Sequence, residues 1–392
     1  MITRFGSLFA GHVDLDDHGL AATPVNDRWL PNERLLTVFD KATRIAQLMD
    51  RRGYDVFWLA EHHFQREGYE VIPNILMLAV HLAHLTERIK FGCGFNIAPM
   101  WHPLRLAEDY AVADYLTGGR VVFGVGRGYH TREVESFGAP MLSSDENRDL
   151  FEEQVDIIFK AFNEPAFSHA GKHYTLPPRV PYRGYELSDL TLVPRPTKVP
   201  VECYQPIVSA SPRGLDFMAK HGIKGVIGGG AAGGGAASKT VVAWQEAQAR
   251  YGRQTEPGGN LVVGITFHIA DSEEQAMDEA RPYFQEWMKM FAPLGFVPGL
   301  SDEQIRALAD PHLAPTANLP TIEQAVGGGA WFVGPPRRIV ERLQDLQERF
   351  PGLEEVHVGQ VVGTDERVIM EQLDRFATDV MPAFKRAPAS VT

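Results

Sequence analysis

Gly119-Arg120-Val121-Val122-Phe123-Gly124-Val125-Gly126-Arg127-Gly128-Tyr129 separates two architectures. The run at 121–125 is short, apolar and β-branched with glycine around it, as expected of a strand buried on both faces. Its spaced glycines invite a dinucleotide-binding turn, but the third glycine of G-x-G-x-x-G would stand at Tyr129, and the segment lies far from the N-terminus. A Rossmann assignment fails on that spacing. What remains is a strand ending in a glycine-flanked Arg127, whose guanidinium could grip phosphate bidentately.

Seven further runs have the same form, at 4–10, 54–60, 89–95, 201–204, 225–227, 261–269 and 356–358. Helical periods lie between them at 32–52, 73–85, 103–116, 145–162, 212–221, 239–251, 272–291 and 335–350, with a last helix at 364–376 started by a cap at Thr364. In the first helix Leu35, Phe39, Ala42, Ile45, Ala46 and Met49 form one apolar stripe, and Gly53 ends it. Eight strands, each followed by a helix, predict an α/β chain folded as a (β/α)8 TIM-like barrel, because the strand count equals the closure number; an open doubly wound sheet is the alternative. Two stretches interrupt the rhythm. Residues 167–200 are rich in Pro and Tyr, with a hairpin expected at Gly171-Lys172-His173-Tyr174. Residues 292–334 form a long insertion before the last barrel helices, with one short helix at 302–308, and are expected to act as a lid. Neither has the composition of a linker, so residues 1–392 read as one barrel domain.

The chain of 392 residues is 44% hydrophobic and 22% charged, the composition of a folded protein. Its 38 basic and 50 acidic residues leave a net charge of −12, which argues against nucleic-acid and membrane-surface partners. Cys93 and Cys203 sit inside strand runs as small hydrophobes, not as a disulfide framework. The N-terminus lacks a signal-peptide pattern, and nowhere do 18 apolar residues run together, so a cytoplasmic, unprocessed protein is expected.

In a parallel barrel the chemistry lies at the C-terminal strand ends. The second strand runs into Glu61-His62-His63-Phe64. Adjacent histidines on extended backbone point to opposite faces, and no carboxylate cluster at ligand spacing accompanies them, so a site histidine is favoured over a metal pair. The third strand ends in Gly94-Phe95-Asn96, where glycine admits close approach and the amide both donates and accepts. Ser209-Ala210-Ser211-Pro212 places hydroxyls and free N–H groups at a helix start, either an anion site or an ordinary cap. Gly228 and Gly229 open a glycine-rich loop that continues to Gly235, with Ser238 where a phosphate loop would need glycine before Lys239-Thr240. A flexible loop at the site mouth is the expectation. The first loop, with His12, His18, Arg28 and Trp29, is expected to line the substrate entrance.

Taken together, Glu61-His62-His63-Phe64, Gly94-Phe95-Asn96, the segment from His102-Pro103-Leu104-Arg105 to Asp109, Gly119-Arg120 through Gly128, Ser209 to Pro212 and the C-terminal stretch from Asp379 to Lys385 resemble the bacterial luciferase-like flavin monooxygenases. The likeness covers nearly the whole chain in the right order. It implies a barrel that binds reduced FMN at the strand ends, supplied by a separate NAD(P)H-dependent flavin reductase, and that uses O2 through a C4a-peroxyflavin to oxygenate a small organic substrate such as a ketone or aldehyde. By motif position His62 is the implied catalytic histidine with Glu61 beside it. The flavin is expected on Gly94, Phe95, Asn96, Gly126, Arg127, Gly128, Tyr129, Ser209, Ser211, Gly228 and Gly229, with Arg127 on the phosphate and Ser211 on the phosphate or capping the helix. A non-prolyl cis peptide is implied around Gly94-Phe95-Asn96, and a homodimer through the helices at 73–85 and 103–116. Where luciferase has a cysteine near the flavin this chain has Gly126, and where it has a tryptophan after the sixth strand this chain has Gly229, which argues against light emission from a long-chain aldehyde. A neutral His62 imidazole is expected to move protons near pH 7. Rival readings are a deazaflavin-dependent hydride-transfer enzyme on the same barrel, a metal-dependent hydrolase using His62, His63 and His102, and a flavin-binding sensor or carrier without catalysis.

Overall fold

The computed structural model describes residues 1–228 and 235–385. Eight parallel strands close on themselves: β1 (Arg4–Phe9), β2 (Val56–Leu59), β3 (Lys90–Cys93), β4 (Val121–Gly126), β5 (Cys203–Pro206), β6 (Lys224–Ile227), β7 (Leu261–Ile269) and β8 (Glu355–Gly359). Each pairs with its successor and β8 pairs with β1, with Arg4 opposite Glu355. Across the β4–β5 seam Cys203 lies opposite Phe123 and Tyr204 opposite Gly124. The closed barrel therefore has the eight strands that the apolar runs predict.

Period-2 alternation divides each strand between two cores. Val56, Trp58, Val122, Tyr204 and Val262 form the inner cluster. The intervening Phe57, Leu59, Phe91 and Phe123 pack outward with Ile45, Leu82, Leu106 and Phe162 in the layer beneath the helices. Trp58 explains Gly92: a β-carbon there would come within 2.3 Å of the indole. The surrounding helices are α1 (Asn32–Arg52), α2 (Ile75–Ala83), α3 (Pro103–Leu116), α4 (Ser144–Asn163), α5 (Pro212–His221), α6 (Gly235–Arg250), α7 (Glu273–Phe291), α8 (Pro336–Arg349) and α9 (Glu366–Arg375). Gly53 closes α1 in the left-handed conformation, φ 77°.

The insertion is more structured than its Pro and Gly content suggests. Besides the expected short helix, at Asp302–Ala307, it holds a second at Ile322–Gly327 and a strand at Trp331–Gly334. That strand pairs with β7 from Thr266 to Ile269, beyond most of the stretch that pairs with β8. A four-residue apolar run carries too little period to be recognised alone. The hairpin is where it was expected, with His169–Ala170 antiparallel to Thr175–Leu176. Thr364 does not cap the last helix: its hydroxyl donates to the Val361 carbonyl, while Asp14, from the first loop, accepts the Glu366 N–H at 2.8 Å. Among the described residues no helix is long and apolar enough to cross a membrane.

Candidate active site

A cavity of about 630 Å³ opens at the C-terminal strand ends. Its wall takes Ala10 after β1, Ala60, Glu61 and His62 after β2, Gly94 and Phe95 after β3, Gly126 to Tyr129 at the end of β4, Gln205 to Ser209 on and after β5, and Gln360 to Val362 after β8. The Gly94–Phe95 peptide is cis, where the resemblance places one. Glycine at 124 is required by contact, since a β-carbon would lie 2.0 Å from the Cys93 carbonyl oxygen.

Loop 61–72 folds back on itself, the His62 N–H bonding the Ile72 carbonyl at 2.9 Å, and this return brings Glu70 to the His62 ring. Gly128, at φ 81°, makes the turn after β4 that sends Tyr129, His130 and Glu133 toward the same ring. His62 Nδ1 lies 3.3 Å from Glu133 Oε1, and Nε2 lies 3.3 Å from Glu70 Oε1. The Tyr129 hydroxyl sits 3.1 Å from His62 Nε2 and donates to Glu70 Oε1 at 2.7 Å. His130 Nε2 stands 2.9 Å from Glu70 Oε2. All five side chains lie within buried residues or at the cavity wall. Burial alone would lower the His62 pKa, but Glu70 and Glu133 outweigh it and hold the ring above the ordinary imidazole value. The expected neutral imidazole is thus corrected: two carboxylates favour the charged form. Burial, then Glu70, pushes the Tyr129 phenol far up, so it is a donor at neutral pH.

At the other end of the cavity the wall is cationic. Arg127 Nε donates to Asn147 Oδ1 at 2.8 Å, which fixes the guanidinium beside α4. Arg148 lies next to it, near Gly214 in the first turn of α5. Ser211 caps that ten-residue helix, accepting the Gly214 N–H at 3.3 Å. Burial, then the neighbouring Arg148 charge, keeps the Arg127 pKa below the usual arginine value. Two guanidinium groups and a helix N-terminus converge here, a donor set for an anion with several oxygens. Ser209 and Ser211 also line this end. A third region is aromatic: Tyr129, Phe291 and Phe296 are mutually packed, with ring centroids 5.0 to 6.5 Å apart, and Trp287 adjoins Phe291.

Other expectations are revised. Glu61 reaches the wall, but its carboxylate accepts the Ile97 N–H and the Trp101 indole N–H, both at 2.8 Å, and meets His63 at 3.2 Å. These contacts make it a strut for segment 97–101, with Oε2 taken by a single donor. Asn96 is fully buried behind the wall, donating to the Gly124 carbonyl. Gly228 is exposed and stands outside the cavity wall; Gly229 and most of the glycine-rich loop lie outside the described residues. His12 bonds the Thr364 carbonyl and Arg28 is buried against Asp17, Tyr69 and Glu286, so neither lines the cavity, nor do His18 and Trp29. His63 pairs with Glu61 and His102 caps α3, so the His62–His63–His102 metal set does not form. Among the described residues one other trio, His62, Glu70 and His130, brings possible ligand atoms within 4.8 Å of one another, and it is joined by the hydrogen bonds above. Arg148, Glu70, His130 and Glu133 escaped the sequence reading. The last two follow Tyr129 directly, as His130-Thr131-Arg132-Glu133, so continuing past the strand end would have met them.

Residues 3–351 match the family model of luciferase-like monooxygenases. The chain belongs to that family. Within it, the oxygenase component of the flavin-dependent trigonelline monooxygenase of Acinetobacter baylyi is 24% identical over 358 residues, covering 89% of this chain and 91% of that protein. The uncharacterized protein y4vJ of Sinorhizobium fredii is 34% identical over 133 residues, about a third of either chain: 34% of this one and 36% of y4vJ. Among solved structures, the oxygenating constituent of 3,6-diketocamphane monooxygenase from Pseudomonas putida, in complex with FMN, superposes with TM-score 0.71 at 19% identity, covering 97% of this chain and 98% of the other. An F420-dependent secondary alcohol dehydrogenase superposes with TM-score 0.63 at 14% identity, covering 98% and 100%. At such identities the superpositions speak for the fold.

Proposed function

We propose that this luciferase-like protein is the oxygenase of a two-component flavin monooxygenase, taking reduced FMN from a separate NAD(P)H-dependent reductase and oxygenating a small organic substrate with O2. The observation that carries the proposal is the division of one cavity into a cationic end and a buried acid–base end, at the strand mouths where barrel enzymes work. The donor set fits the nucleotide. Arg127, Arg148 and the N–H groups opening α5 would take its phosphate, and the close approach of Gly94, Phe95 and Gly126 leaves a narrow wall for a flat ring. Gln205 Oε1, buried without a partner, would accept from a ring N–H. When bound, reduced flavin supplies the two electrons that activate O2. His62 and Tyr129 would hold and move a proton beside the reacting atoms, and Trp287, Phe291 and Phe296 would seat the apolar part of the substrate and keep water out. A reducing compartment such as the cytoplasm suits Cys93 and Cys203, both buried and unpaired.

Anaerobic titration with reduced FMN and with reduced riboflavin, followed by oxygen and a panel of ketones and aldehydes, tests this. Tight binding of FMN, about tenfold or more weaker binding of riboflavin, and oxygenated product are expected; equal affinities would remove the phosphate site from the account. The second reading, deazaflavin-dependent hydride transfer, draws on the superposition with the F420-dependent alcohol dehydrogenase. It would be favoured by anaerobic turnover with deazaflavin. The exposed Met77 on α2 and Val112, Tyr115 and Leu116 on α3 form an apolar face that we assign to a homodimer contact.

A further inference from the structure

The His62 group has a second side. Besides the cavity described above, one of about 330 Å³ lies next to it, lined among others by Gln65, Tyr69, His130, Arg132 and Lys289. His62, Glu70 and Tyr129 line the main cavity, His130 lines the second, and Glu70 is hydrogen-bonded to both groups. One carboxylate oxygen faces Tyr129 and His62, the other His130. Glu70 itself lines only the main cavity, but its second oxygen bonds the residue that lines the other, which is more than holding one ring in place requires.

We infer that Glu70 and His130 form a proton conduit joining the His62–Tyr129 pair in the main cavity to solvent in the second cavity. The inference rests on the oxygenase reading for its purpose: an oxygenation that leaves one oxygen atom as water takes up one proton per turnover when the reduced flavin is the anion, inside a cavity shielded from bulk water. Inward transfer moves a proton from His130 Nε2 to Glu70 Oε2. Once His62 has given its Nε2 proton to the main cavity, the carboxyl group turns about its Cγ–Cδ bond and releases the proton to that nitrogen, directly or through the Tyr129 hydroxyl. His130 is reprotonated from the second cavity. One proton enters, one arrives, and no electron moves. Around the path the charges come from every side: Glu61 and Glu133 on the His62 ring, Arg132 paired with Glu67 and close enough to Glu133 and Glu70 to act on them, and Lys289, in the wall of the second cavity, paired with Glu286 on its own helix. Glu70 and His130 are positioning residues, since they act on the reaction only through His62 and Tyr129.

The test uses the full chain in two conditions. In flavin-free protein with 15N-labelled histidine, NMR measures how fast the His62 ring N–H exchanges with water. His130→Ala is expected to slow that exchange about tenfold, and added imidazole, small enough for the second cavity, to restore it; Glu70→Gln should slow it with no rescue. During turnover with reduced FMN, His130→Ala should raise peroxide release per flavin and enlarge the solvent deuterium effect on kcat, both reversed by a series of small bases in order of their pKa. His130→Gln serves as the second variant if alanine is poorly folded. Exchange within about twofold of wild type in both variants, or a His130→Ala defect that no added base relieves, would overturn the conduit. The first readout needs no cofactor, so failure of reduced FMN to bind would refute the oxygenase reading while leaving the conduit to be judged on exchange alone.

Discussion

A histidine between two buried glutamates behaves unlike one in water. His62 is held above its ordinary pKa because Glu70 and Glu133 more than offset burial, and Glu133 is held below its ordinary value by the same contact, against its own burial. The signs follow by linkage. The His62 contribution to stability is fully present below about pH 6.5, the unperturbed value, and fades as pH rises through the higher folded pKa. The Glu133 contribution is present above its ordinary value and is lost as pH falls through its lower folded pKa. Replacing Glu133 with Gln should therefore lower the His62 NMR titration midpoint, and the loss in urea-unfolding stability should shrink toward alkaline pH; an unmoved midpoint would show that the ring is solvated. Arg148→Ala should weaken reduced FMN by about tenfold, the worth of one charge-assisted contact, with riboflavin unaffected. Fluorescence titration of both ligands checks it.

Elements place these groups through small local devices. The β3–β4 pair passes so close to segment 93–95 that Gly124 has no room for a side chain: a β-carbon would meet the Cys93 oxygen at 2.0 Å and Phe95 Cδ1 at 3.0 Å. Gly124→Ala should cost about 3 kcal/mol, seen as a lowered urea midpoint, because the nearer obstacle is backbone and cannot rotate away. A full-stability alanine variant would mean that β3 and β4 sit farther apart. The same economy appears at α5, where Ser211 caps the helix and lines the cationic end of the cavity at once. The cap and anion roles that its sequence left open are compatible, since the Gly214 N–H occupies one lone pair of the hydroxyl.

On the scale of the molecule, the barrel leaves α2 and α3 with an outward face carrying Met77 at 72% and Tyr115 at 71% exposure. If that face is the homodimer contact, Met77→Glu with Tyr115→Glu should yield a monomer by light scattering with its cavity intact; an unchanged mass would place any dimer elsewhere. The strands, helices and barrel class were legible in the chain because each rests on a local period: eight apolar runs, helical stripes, and a spacing at Tyr129 that excluded the dinucleotide turn. The place of His62 and Arg127 in the cavity wall was legible too, since both stand directly at strand ends. The partners of those residues were not. Glu70 returns on a folded loop and Arg148 projects from α4, about 20 residues after Arg127, with no motif to mark either, and Glu61, picked out by its neighbours in sequence, has its carboxylate tied to a backbone amide and an indole. Periodicity reports which face of an element is buried, and so the chain alone determined the architecture. Which carboxylate ends beside which ring depends on where distant segments meet after closure, and only the tertiary structure decided that.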